Sequence, residues 1–181
     1  MRIIKSMEDK YLLPSAQLVE RVFTESDDAE SGKLVRCLVE EIRGKRFYLP
    51  ELELIMVDGN DEVIGYVNFA RFHLDGKYED ELLLLSPVAV KTELQRQHIS
   101  KELIEFGFEK AKTLGYKVVI VEGNPLNYRS RGFVTSADFG INAHESVGLP
   151  APECLMVKEL VSGALEHIRG QVCYADYECL R

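Results

Sequence analysis

Two apolar runs, and the segment that joins them, constrain this chain more than anything else in it. From Glu81 to Val90 (ELLLLSPVAV) nearly every residue is apolar, and Lys117 to Val121 (KVVIV) has the same character. A strand with one wet face alternates apolar and polar residues, whereas a strand covered on both faces does not. Between the runs, Leu103, Ile104, Gly107, Phe108, Ala111 and Leu114 recur at helical spacing, in a single stripe that stops at Gly115. Two buried strands with an amphipathic helix between them predict a β-α-β unit with a right-handed crossover.

The flanking sequence adds strands and helices of a different arrangement. Residues 2–5 (RIIK) suit a short strand, and Leu18, Val19, Val22 and Phe23 mark one face of a helix over residues 13–23. Leu34, Leu38, Val39 and Ile42 repeat that spacing, which predicts a second helix from about residue 31 to 43 with Gly44 at its end. Residues 52–57 and 62–72 are strands joined by Asp58-Gly59-Asn60-Asp61, a sequence suited to a hairpin. After a Gly-, Asn- and Pro-rich loop ending near Pro152, the chain offers a strand (CLMVKEL). A tail follows from Val161 to Arg181, whose GALEHIRGQVCY suits a helical turn plus a short strand. The pattern is α+β. At 181 residues with 46% apolar content, it fills one domain and not two.

Charge and cysteine usage narrow the function classes. A formal net charge of −8 argues against nucleic acid, whose phosphates are met by clustered Lys and Arg. The acidic runs at residues 25–30 and 79–81 suit solvated loops, with attraction of a cationic amine as the minority alternative. The N-terminus has no apolar run of signal-peptide length and no run anywhere reaches membrane-spanning length, so a soluble, cytoplasmic protein without a membrane partner is expected. The four cysteines, Cys37, Cys154, Cys173 and Cys179, form no CxxC pair and no zinc-ligand cluster. Free thiols in a reducing setting, and no bound metal, are therefore expected.

Three places could carry chemistry. Pro87 lies inside a central strand, where its missing N–H either opens a bulge that turns backbone groups toward a ligand or marks the strand end. Gln95-Arg96-Gln97-His98-Ile99-Ser100 precedes a helix, and a helix start offers unpaired N–H groups and a positive dipole end to an anion. Tyr128 lies five residues before Phe133 in NPLNYRSRGF, where Pro125 suits the first turn of a short helix opening near Asn124. A tyrosine there could pack, cap, or donate a proton at neutral pH.

In this order, these segments resemble the acyl-coenzyme A binding core of the GNAT acetyltransferases, most specifically over residues 82–133. Ser86-Pro87-Val88-Ala89-Val90 looks like the fourth strand of one bacterial subgroup, and residues 153–175 are similar to its ending. The resemblance implies an α+β fold with a mixed central sheet of about seven strands flanked by helices. It also implies an N-acetyltransferase domain over residues 1–160, with residues 161–181 as an appendage packed on the same domain.

Carried over residue by residue, it implies that Val88, Ala89 and Val90 meet the pantetheine arm and that Gln95, Arg96, Gln97, His98, Ile99 and Ser100 hold the pyrophosphate. Asn124 would lie beside the arm, and Tyr128 would contact the cofactor and protonate the departing thiolate. His98 and Ser100 stand where the family pattern has Gly and then Gly or Ala. Leu84 stands where histone-acetylating members carry a glutamate, so Glu53, Glu81, Glu122, His73 and a relayed water all stay open as the base. The implied co-substrate is acetyl-CoA, the acceptor a small-molecule or peptide primary amine, and a homodimer is allowed. An acyl-CoA sensor of weak activity and a protein-interaction subunit are the alternatives.

Overall fold

The computed structural model describes residues 1–181. Its frame is a seven-stranded mixed sheet. The chain runs through β1 (Ile3–Ser6), α1 (Asp9–Ser26), α2 (Ala29–Arg43), β2 (Glu53–Val57), β3 (Val63–Arg71) and β4 (Leu82–Val90). It continues through α3 (Ile99–Thr113), β5 (Val118–Glu122), α4 (Pro125–Tyr128), β6 (Val134–Thr135), β7 (Ile141–Ala143), β8 (Leu155–Glu159) and β9 (Gly170–Val172). Sheet order is β1-β2-β3-β4-β5-β8-β6, and the β4–β5 neighbours are the parallel pair expected from the crossover. The tail supplies β9, which pairs with β7 in a separate two-stranded ribbon.

The sheet is covered on both faces, as the apolar runs require. On one face α3 lays Leu103, Ile104 and Phe108 against Leu54, Phe69, Leu83, Val119 and Val121. Gly107 makes that approach feasible: a Cβ there would lie 2.2 Å from the Phe69 ring. On the other face α1 and α2 bury Tyr11, Leu18, Val19 and Val39 against Ile55, Val63, Tyr66 and Ala89. Helix α1 begins earlier than the expected Leu13. It carries Pro14 inside it, where the ring removes one N–H and crowds the carbonyl four residues back, and burial of Tyr11, Ser15 and Ala16 holds the first turns in place from Asp9 onward.

A buried charge cluster ties the two N-terminal helices to the sheet. Glu53, 1% exposed, accepts hydrogen bonds from Arg43 Nε at 2.8 Å and Tyr66 at 2.6 Å, and a third from Tyr48. The same guanidinium donates to the Leu12 carbonyl at 3.0 Å and Ser15 Oγ at 2.8 Å. Paired and hydrogen-bonded on all sides, Glu53 is satisfied where an isolated buried carboxylate would not be.

The expectation of four free thiols is corrected: Cys37 and Cys179 form a disulfide, and Cys154 and Cys173 stay free. The partners are 142 residues apart. The pairing arises because Tyr177 buries with Leu38 and Ile42, while Glu41 accepts the backbone N–H groups of Glu178 at 2.7 Å and Cys179 at 3.0 Å. No helix is long and apolar enough to cross a membrane.

Candidate active site

The β4–β5 pairing covers only Leu82–Leu84 against Val118–Ile120; beyond it the two strands part. Pro87 lies in the bulge expected of it. Val88 faces Val67 and Leu85 faces Phe69, so Ser86 and Pro87 together oppose the single residue Asn68. From Leu85 onward the β5 side of β4 is an open edge, and the gap holds two cavities. Both are lined by Val88, Asn127 and Tyr128, which form a common wall.

The first cavity, about 480 Å³, has the character of an anion site. Val88, Ala89, Val90, Gln95, Arg96, His98, Ile99 and Ser100 all line it, as does Tyr128. The N-terminus of α3 opens into it with no side-chain cap, in contrast to α2, where Asp28 accepts the Ser31 N–H at 2.7 Å. An uncapped helix start leaves N–H groups for an anion. His98, the N-cap, has a left-handed backbone with φ of +65°, and Arg96 has φ of +62°. The loop therefore keeps, at Arg96 and His98, a conformation that favours glycine while carrying side chains.

Two expected contacts lie elsewhere. Gln97 is exposed, accepts a hydrogen bond from Arg2 and is absent from the cavity wall. Asn124 lines the second cavity, its side chain accepting the Leu126 N–H at 3.0 Å to cap α4. Conversely, Arg131 is a site residue that the sequence pattern does not mark. It lines the first cavity, donates to Ser100 Oγ at 3.0 Å and the Asn127 carbonyl at 2.6 Å, and has a buried Nε without a partner. Its position two residues before Phe133, inside NPLNYRSRGF, was the available signal.

Tyr128 stands where the cavities meet. Its ring packs edge-on against Phe133, with centroids 5.5 Å apart. A Cβ at Gly123 would lie 2.5 Å from the ring, so this glycine lets Tyr128 close onto the end of β5. Burial raises the phenol above its ordinary value, partly countered by the Arg131 charge, so it is a proton donor at neutral pH.

The second cavity, about 430 Å³, lies on the α1/α2 side of that wall. Phe23, Val35, Leu38 and Ile42 face Leu84, Leu85 and Pro87 across it, and the tail adds Tyr174 and Leu180. Of the candidate bases, Glu122 alone lines it. Glu53 is enclosed in its cluster, and Glu81 pairs with Lys117 at 2.7 Å. His73 accepts the Gly76 N–H at Nδ1, at 2.8 Å, and contacts Asp176 through Nε2 at 2.7 Å.

Comparisons with known proteins bear on the fold and the family. E. coli YhbS, described as an uncharacterized N-acetyltransferase, is 27% identical over 141 residues, covering 77% of this chain and 80% of its own. The crystal structure of YhbS in complex with CoA matches with a TM-score of 0.81 at 23% identity, covering 94% of this chain and 87% of that one. A Brucella melitensis GNAT acetyltransferase in complex with acetyl-CoA matches with a TM-score of 0.72 at 19% identity, covering 98% and 99%. At these identities the structural matches establish the fold. The family model of the acetyltransferase (GNAT) family matches residues 18–139, about two thirds of the sequence, and the chain belongs to that family.

Proposed function

We propose that this protein transfers the acetyl group of acetyl-CoA to a primary amine by direct attack of the amine on the thioester. The observation that carries this is the pair of cavities meeting at Tyr128. One is lined by Arg96, Arg131, His98 and an open helix start, and the other is largely apolar with one carboxylate. The first suits a pyrophosphate, and the free edge of β4 suits an amide-bearing arm reaching inward from it. In this proposal Val88, Ala89 and Val90 contact that arm, while Gln95, Arg96, His98, Ile99, Ser100 and Arg131 hold the phosphates.

The thioester carbonyl then lies at the common wall. A backbone N–H in the Val88–Val90 stretch stabilises the developing oxyanion, and Tyr128 gives its proton to the thiolate as the C–S bond breaks. Holding both reactants on either side of one wall supplies the orientation that direct transfer requires. All of these groups come from one chain, so a homodimer is compatible with the site but not needed by it.

Calorimetric titration with acetyl-CoA, followed by mass detection of N-acetylated amine, tests the proposal. Saturable binding and transfer are expected. Binding without transfer to any amine would assign the protein to the sensor class, and no heat at millimolar acetyl-CoA would leave an interaction subunit of GNAT fold.

A further inference from the structure

The second cavity is apolar along most of its wall and carries charge at one place. Phe23, Val35, Leu38 and Ile42 face Leu84 and Leu85, and Glu122 is the single charged side chain in the lining. Its Oε2 accepts the Tyr174 hydroxyl at 2.9 Å, while Oε1 has no partner and no lysine or arginine pairs with the group. Burial first, and then the Glu122 charge, raises the Tyr174 phenol, so it stays protonated and keeps donating. An open carboxylate oxygen beside apolar walls complements an ammonium group on an apolar body. A second cationic centre in the same ligand would be stranded among Phe23, Val35 and Leu38 without a counter-ion.

Resting on the acetyltransferase reading above, we propose that Glu122 binds the acceptor's ammonium and takes a proton from it. The acceptor is then a primary amine on a small alkyl or aryl body seated between α1, α2 and β4. Tyr174 acts through Glu122 as a positioning residue. The ammonium gives one proton to Oε1, and the freed lone pair forms the N–C bond at the thioester carbonyl. The C–S bond breaks, with its electron pair on sulfur, and the sulfur takes the Tyr128 proton. The nitrogen's second proton restores the Tyr128 phenol, and Glu122 releases its own to solvent.

The test compares full-length parent, Glu122→Gln and Val35→Phe. Each is titrated with acetyl-CoA and assayed by mass detection with phenethylamine, hexylamine, propylamine, spermidine, lysine and a short peptide with a free N-terminus. For the parent, phenethylamine or hexylamine should exceed spermidine, lysine and the peptide in kcat/KM by about tenfold or more. Glu122→Gln should lose about 10²–10⁴-fold in kcat/KM with acetyl-CoA affinity unchanged. Val35→Phe, which narrows the apolar end, should shift preference from phenethylamine toward propylamine. Preference for spermidine, lysine or the peptide overturns the inference, as does parental turnover in Glu122→Gln. Acetyl-CoA binding with transfer only to polar amines would sink this inference and leave the acetyltransferase reading standing. Failure to bind acetyl-CoA would sink both.

Discussion

The two cavities that meet at Tyr128 differ in charge and in how the chain builds them. The first carries Arg96, Arg131 and His98 with no carboxylate, in a protein whose formal net charge is −8. The second carries Glu122 and no cation. Most of the first comes from one stretch, residues 88–131, where strand edge, loop, helix start and α4 follow one another. The second gathers α1, α2, β4, β5 and the tail. A site for a ligand whose shape does not vary can be written into one supersecondary unit. A site assembled from distant segments can vary in any of them without disturbing the first.

The largest expected effect tests the wall itself. Tyr128→Phe should lower kcat by about 10²–10⁴-fold while leaving acetyl-CoA affinity near the parent value, since the hydroxyl acts only as thiolate charge develops. Because burial raises this phenol, its proton is retained past the ordinary tyrosine value near 10. The kcat of the parent should therefore show no loss from Tyr128 ionisation up to about that pH. Single-turnover kinetics across pH 7–10 check both statements. An unchanged rate with chemistry limiting would reduce Tyr128 to packing.

An intermediate effect tests whether the cavities are independent. Cys179→Ser opens a loop of 142 residues and should cost about 2–4 kcal/mol in a denaturant melt. It also loosens Leu180, so KM for the amine should rise while acetyl-CoA affinity holds. A parallel fall in both would show that the tail supports the sheet and not one cavity.

The smallest effect sharpens the other side. His98→Gly removes a side chain from a left-handed position, a relief of about 1 kcal/mol partly offset by the greater freedom of glycine in the unfolded chain. Its backbone can approach a pyrophosphate more closely, so acetyl-CoA should bind modestly tighter in calorimetry with amine selectivity unchanged. Equal affinity in the two proteins would mean that this loop does not hold the phosphates.

The same contrast explains what the sequence revealed. Pro87 in an apolar run, the stripe from Leu103 to Leu114 and Tyr128 ahead of Phe133 are local patterns, and they located the parallel pair, the bulge and the first cavity. Arg131 lies in the same motif but carries no signal of its own, because an arginine in a short polar turn has no distinctive spacing. Nothing local links Cys37 to Cys179, or Val35 and Leu38 to Tyr174. Those neighbours exist only once Tyr177 has buried against α2 and Glu41 has taken the tail's N–H groups. Glu122 could not be separated from Glu53 or Glu81 until burial and ion pairs had accounted for the others.

The wall of Val88, Asn127 and Tyr128 is one residue layer thick, and it belongs to both cavities. On the proposed reading, a single molecule with coenzyme A joined through its sulfur to an apolar amine would place one half in each cavity, with the junction at these three residues. Its second half then binds at an effective concentration set by the short linkage and not by the bulk solution, which multiplies the two separate affinities. The sharing of Val88, Asn127 and Tyr128 by both cavities makes a linked ligand the sharpest probe of whether they act together.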